Sequence, residues 1–134
     1  MSQRVAAWIR QADHDLKHAH DSLAAGGFDW VCYAASQSAE KSLKAALLSL
    51  GADSVWGHNL VALLDRVQKM GGMAVAADLM DDARMLTQYN VLARYPMGDE
   101  AIAPAELFTR AQAEGAIASA ERIREFLRMH VLGS

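Results

Sequence analysis

Asp29-Trp30-Val31-Cys32-Tyr33-Ala34-Ala35-Ser36-Gln37-Ser38-Ala39-Glu40-Lys41-Ser42-Leu43-Lys44-Ala45-Ala46-Leu47-Leu48-Ser49-Leu50 is the stretch on which the fold turns. Its apolar positions recur at three- and four-residue steps and it holds no β-branched run, which is the pattern of a helix. Asp29 is placed to cap it, Phe28 to staple onto Tyr33, and Gly51 to end it near Leu50. Seven small residues (Ala34, Ala35, Ser38, Ala39, Ser42, Ala45, Ala46) let neighbouring axes approach closely, so this helix is expected at the centre of the molecule. The same helix carries Gln37, Glu40 and Lys44 at three- and four-residue spacing, hence on one stripe. An amide, an acid and an amine there are costly in an apolar bundle unless partners satisfy them. His58, Arg94 and Tyr95 are the candidate partners.

Outward from this element the chain reads as helices throughout. From Ser2 to about Ala25 the apolar stripe is Val5, Trp8, Ala12, Leu16, Ala19 and Leu23, stopped by Gly26-Gly27. A third helix follows His58 with Leu60, Leu63, Leu64 and Val67 inward. Gly71-Gly72 separates it from a continuation over Met73 to Asn90, with Val75, Leu79, Ala83 and Leu86 inward. Val91 to Phe108, which holds both prolines, reads as a long loop, and loops of that length in compact domains are commonly functional. Thr109-Arg110-Ala111-Gln112 resembles a capping box and opens a last helix ending near His130, with Ala113, Ala116, Ala120, Ile123 and Leu127 inward. The expected architecture is all-α: one domain over residues 1–134, an antiparallel up-and-down four-helix bundle with an extra short helix.

Composition narrows the function classes. With 52% hydrophobic and 22% charged residues, the 134-residue chain is globular rather than disordered. A net charge of −3 argues against a dedicated duplex-binding protein, which carries a basic excess. Cys32 stands alone, so neither an intrachain disulfide nor a cysteine zinc set is available. His14 and His18 have the spacing of a metal-binding pair, but with Asp15, His20 and Asp21 around them they read as a solvated polar face. Asp78, Asp81 and Asp82 read as an exposed acidic face. No metal or cofactor is therefore expected. No segment approaches the ~20 apolar residues of a membrane span and no leader is evident, so the expected location is cytoplasmic. Gly-rich phosphate loops and nucleophile elbows are missing from the sequence.

Glu40 and Lys44 are an i, i+4 pair in the favourable order, either a surface salt bridge or two walls of a site. Arg94 has the planar fork that binds phosphate bidentately and stacks on rings. Its alternative is a structural bond to Glu40 or to a helix-end carbonyl. Tyr95-Pro96 holds the backbone extended behind it. His58 opens a helix, where unpaired N–H groups favour anions, or else is a cap residue packed under its loop. Trp56 and Tyr89 read as aromatics closing the end of the core, with stacking on a base as the alternative. Lys44 and Arg94 are expected to converge on one cavity.

With those residues in place the chain resembles the HEPN family, the nucleotide-binding helical domain of prokaryotes and higher eukaryotes. The first helix is similar in Ala12, Asp15-Leu16 and Ala19, and the opening of the second in Phe28-Asp29-Trp30. Gln37 to Lys44 looks like the family signature, with Ser38 where alanine is more usual. His58-Asn59-Leu60 resembles the motif in which an acid more often follows the histidine. Ala93-Arg94-Tyr95-Pro96 looks like the characteristic tetrapeptide. The resemblance implies a homodimeric bundle that binds a nucleotide or other phosphate-bearing ligand at Gln37, Glu40, Lys44, His58, Arg94 and Tyr95. It also implies a small nucleotidyltransferase as partner, in a two-component or toxin–antitoxin arrangement.

Other branches of that family are metal-independent ribonucleases carrying Arg, four to six residues, then His. No histidine follows Arg94 within that reach, so the chain reads as a binding module rather than an enzyme. Arg124 and His130 satisfy the spacing but lie in the last turns of the final helix. They are the catalytic pair only under an alternative reading, an RNA-cleaving toxin. A third reading is a purely structural dimerisation subunit whose polar stripe is the seam.

Overall fold

The computed structural model describes residues 1–96 and 101–133. α1 (Gln3–Ala25) is capped by the Ser2 hydroxyl, which accepts from the Val5 N–H at 3.1 Å. It ends at Gly26, whose φ of +81° is the left-handed conformation that glycine adopts without penalty. α2 (Phe28–Ser49) follows after one more residue. α3 (Leu60–Gly71) is capped by the Asn59 side chain on the Ala62 N–H, and α4 (Ala77–Leu92) by neither side chain nor box. A short α5 (Pro104–Leu107) precedes α6 (Arg110–Leu127), which opens on the reciprocal Thr109–Gln112 box. A single π-helical turn, Arg128–Leu132, follows α6.

α2 touches α1, α3, α4, α5, α6 and the π-helical turn, the central position its small residues predict. Ala35, Ala39, Ala45 and Ala46 are fully buried, and Leu43 and Leu47 join Leu60, Leu64, Leu86, Ile123 and Leu127 in the core. Ser38, in the place where alanine is more usual, donates its hydroxyl to the Ala12 carbonyl at 2.8 Å and so ties α2 to α1. α1 also meets α6, which closes the ring of the bundle. The inward stripes of α3 and α6 are buried as read from the sequence.

Four local expectations need correction. α2 begins at Phe28, so Gly27 takes the cap position and Asp29 lies in the first turn, where its charge meets the positive helix end. Phe28 carries the Arg110 guanidinium at 5.0 Å, while Tyr33 meets Trp30 and Arg94 instead. The continuation after Gly72 is an extended link until Ala77, because Gly72 adopts φ +63° and ends the preceding helix. The long loop is shorter than expected at both ends. α4 runs on to Leu92, a turn through Tyr95 bonds back to Val91, and Pro104 opens α5, where its missing N–H is no loss. Its middle, residues 97–100, lies outside the described residues.

Candidate functional site

The polar stripe of α2 is met by side chains from three other elements, and it divides. At its C-terminal half Glu40 and Lys44 are buried, 5% and 6% exposed, so of the two alternatives for this pair the surface salt bridge is ruled out: it is an interior pair. Lys44 Nζ donates to Glu40 Oε2 at 3.1 Å and sits 5.9 Å from the centre of the Trp8 ring. His58 Nδ1 bonds to Glu40 Oε1 at 3.1 Å while its side chain remains 70% exposed. It stands just before the Asn59 cap rather than inside α3. Thr87 pins the backbone there, accepting from the Leu60 N–H at 3.0 Å and donating to the His58 carbonyl at 3.3 Å. Glu40 thus has both oxygens engaged and Lys44 is neutralised, the condition under which buried charge is tolerated.

At the N-terminal half Gln37 donates to the Asn90 side chain at 3.1 Å, joining α2 to α4. The Asn90 carbonyl, one turn back along α4, accepts from Arg94 Nε at 2.7 Å. Of the two structural partners expected for Arg94, the helix-end carbonyl takes it and Glu40 does not. The guanidinium lies 4.7 Å from the centre of the Tyr33 ring and 5.0 Å from that of Tyr95. Two rings and one carbonyl therefore fix its plane, and the terminal amines have no partner among the described residues. Tyr95 itself is 53% exposed.

The expected convergence of Lys44 and Arg94 is therefore not what the fold produces. Arg94 lies against Tyr33, and Lys44 follows Tyr33 by about three turns of α2, roughly 16 Å of helix rise. The candidates form two clusters: Gln37, Arg94 and Tyr95 with Asn90 and Tyr33, and Glu40, Lys44 and His58 with Trp8. Sequence reasoning missed Tyr33, Asn90, Trp8, Trp30 and Lys41. The signal was present, because Trp30, Tyr33, Gln37 and Lys41 follow one another at three- and four-residue steps on a single face of α2. That face and α1 enclose a cleft of about 230 Å³. Asp15, read as part of a solvated face, is half-buried there in an ion pair with Lys41. A separate, apolar cavity of about 300 Å³ lies beside Tyr95, between Leu92, Ile102, Pro104, Leu107 and Phe108.

Other candidates lie outside these two clusters. Arg124 is bound to Asp13 of α1 at 2.9 Å, and His130 packs on Phe126 with ring centres 4.7 Å apart. Tyr89 closes the core against Phe108 as expected, and burial raises its hydroxyl pKa. Trp56 does not; it is 76% exposed on the loop before His58. Asp82 departs from the exposed acidic face: it is buried, accepting from Arg122 at 2.8 and 2.9 Å and from the Ser119 hydroxyl at 2.7 Å. Burial works to raise its pKa, but the bonds from Arg122 and Ser119 outweigh that and hold it below the ordinary carboxylate value. Burial pushes the Cys32 thiol up to about 12, so it is not a nucleophile at neutral pH. Among the described residues no three His, Cys, Asp or Glu side chains group to hold a metal ion, and no helix is long and apolar enough to cross a membrane.

Known proteins agree with this architecture. The chain is similar over 97% of its length to all of TT1696 from Thermus thermophilus, with 35% identity and a TM-score of 0.90. It is similar to ST0689, an archaeal HEPN homologue, with 29% identity and a TM-score of 0.77, covering 96% of this chain and 98% of that one. A HEPN domain protein of Thermotoga maritima, tm0613, gives 29% identity and a TM-score of 0.73 over 92% and 95% of the two chains. No curated protein is significantly similar to the chain. The HEPN domain family model matches residues 5–130. With its helical order, its central α2 and that match over nearly its whole length, the chain belongs to the HEPN domain family.

Proposed function

We propose that this HEPN domain is a nucleotide-binding and interaction module, homodimeric and cytoplasmic, working beside a small nucleotidyltransferase in a two-component or toxin–antitoxin arrangement. Arg94 is the anion handle. The observation that carries this reading is the fixed guanidinium of Arg94, held by Tyr33, Tyr95 and the Asn90 carbonyl, with terminal amines that have no partner among the described residues. An arginine so held loses little freedom when it binds phosphate bidentately. Tyr95, half outside the protein, stacks on or hydrogen-bonds to the ligand, and Gln37 keeps Asn90 in place. Lys44, Glu40 and His58 stand apart from this handle; the Glu40–Lys44 pair is closed on itself, and of the three only the exposed His58 imidazole is available to the ligand.

The purely structural alternative is weaker because Glu40 and Lys44 already satisfy each other within one chain and are not left for a seam. Isothermal titration with ATP and GTP tests the proposal. Binding is expected for the unaltered chain, with a loss of about tenfold or more in Arg94→Ala, the scale of a hydrogen bond to a charged group. No heat at millimolar ligand contradicts it.

A further inference from the structure

The cleft between α1 and α2 is a feature of its own, sharing only Gln37 and Tyr33 with the residues assigned above. Its α2 wall is Trp30, Tyr33, Gln37 and Lys41, and its α1 wall is Asp15 and His18. We propose that this cleft is a subsite for a planar nitrogen-containing ring, the base of the nucleotide whose phosphate Arg94 holds; it rests on the function proposed above. The volume decides what class of group fits. At about 230 Å³ the cleft is below the roughly 300–1,000 Å³ of sites that enclose a whole small molecule, so it takes a ring and leaves the rest of the ligand outside.

The walls suit a ring rather than a sugar or a phosphate. Trp30 and Tyr33 stand edge to face, 5.9 Å apart with planes at 79°, and form an aromatic corner. Trp30 is 52% exposed, a large indole surface presented to water at the mouth of the cleft. Stacking of a base on such a surface is tolerant of sequence, because every base has a π face. The floor is not a second anion site, since the Lys41 charge is already paired with Asp15. Asp15 also accepts from Gln11 at 3.1 Å, so that carboxylate is fixed. Gln37 uses its amino group on Asn90, and its carbonyl oxygen, with no partner among the described residues, is an acceptor for a ring N–H.

Tyr33 sets the direction of the rest of the ligand. Its ring lines the cleft and also carries the Arg94 guanidinium at 4.7 Å. A ring in the corner thus lies one side chain away from the terminal amines of Arg94, the connection a nucleoside phosphate requires.

The test compares ligands with and without the ring. The full chain is titrated with AMP, ribose 5-phosphate and pyrophosphate, followed by tryptophan fluorescence and by heat. AMP is expected to bind about tenfold more tightly than ribose 5-phosphate, the scale of one base stacked on one aromatic side chain. Trp30→Leu, at an exposed position, is expected to bring AMP to the level of ribose 5-phosphate and leave ribose 5-phosphate unchanged, and Trp30→Phe to keep part of the preference. Equal binding of AMP and ribose 5-phosphate, or a preference that survives Trp30→Leu, overturns the ring subsite while Arg94-dependent phosphate binding stands. Binding of none of the three overturns the function proposed above and the subsite with it.

Discussion

Single side chains in this molecule take roles that their residue types alone do not announce. Arg94 is held by a backbone carbonyl and two tyrosine rings, and no acid among the described residues cancels its charge. Lys44, the other expected cation, is cancelled by Glu40 inside the protein. Ser38 uses its hydroxyl to join α1 and α2, whereas Ser42, one turn on along the same helix, is fully buried with no partner for its oxygen among the described residues. An unpartnered buried hydroxyl is a cost that alanine removes at almost no change of volume. Ser42→Ala is therefore expected to stabilise the fold by about 1 kcal/mol, measured as a raised midpoint in urea with an unchanged slope. A lowered midpoint would mean that the hydroxyl makes a bond worth keeping.

Between elements, the polar contacts act as clamps across an apolar bundle. Gln37 to Asn90 joins α2 to α4, Glu40 to His58 joins α2 to the loop before α3, and Asp82 to Arg122 and Ser119 joins α4 to α6. The last of these has a pH signature. Because the Asp82 pKa is lowered on folding, its contribution is complete above the unfolded carboxylate value of about 4 and is lost as pH falls through the folded value. Asp82→Asn is expected to be less stable than the unaltered chain near neutrality, with the gap narrowing below about pH 4. Urea midpoints for both chains from acid to neutral pH check this; a constant gap contradicts it. The periodicity of α4 left Asp82 on its acidic face because its partner Arg122 lies far along the chain on α6, a distance that no local pattern spans.

For the molecule as a whole, the order of the helices was legible because each buries a stripe written at its own period, and the central place of α2 because its alanines leave room for neighbours. The boundaries around Pro96 and Pro104 were less so, since a proline opens a helix as readily as it ends one. The candidate residues were found on the right helices, but their grouping was not. The sequence puts Lys44 and Arg94 together on one cavity, and only the path of α2 separates them by about three turns of helix. The central claim is accordingly that Arg94, and not the buried Lys44, receives the phosphate. The measurement that tests it most directly is a pyrophosphate titration of Arg94→Ala beside the double variant Glu40→Gln/Lys44→Met, which removes the buried pair without leaving a lone charge. The account predicts that Arg94→Ala loses binding and that the double variant keeps it within about twofold. Loss in the double variant with binding intact in Arg94→Ala would contradict it.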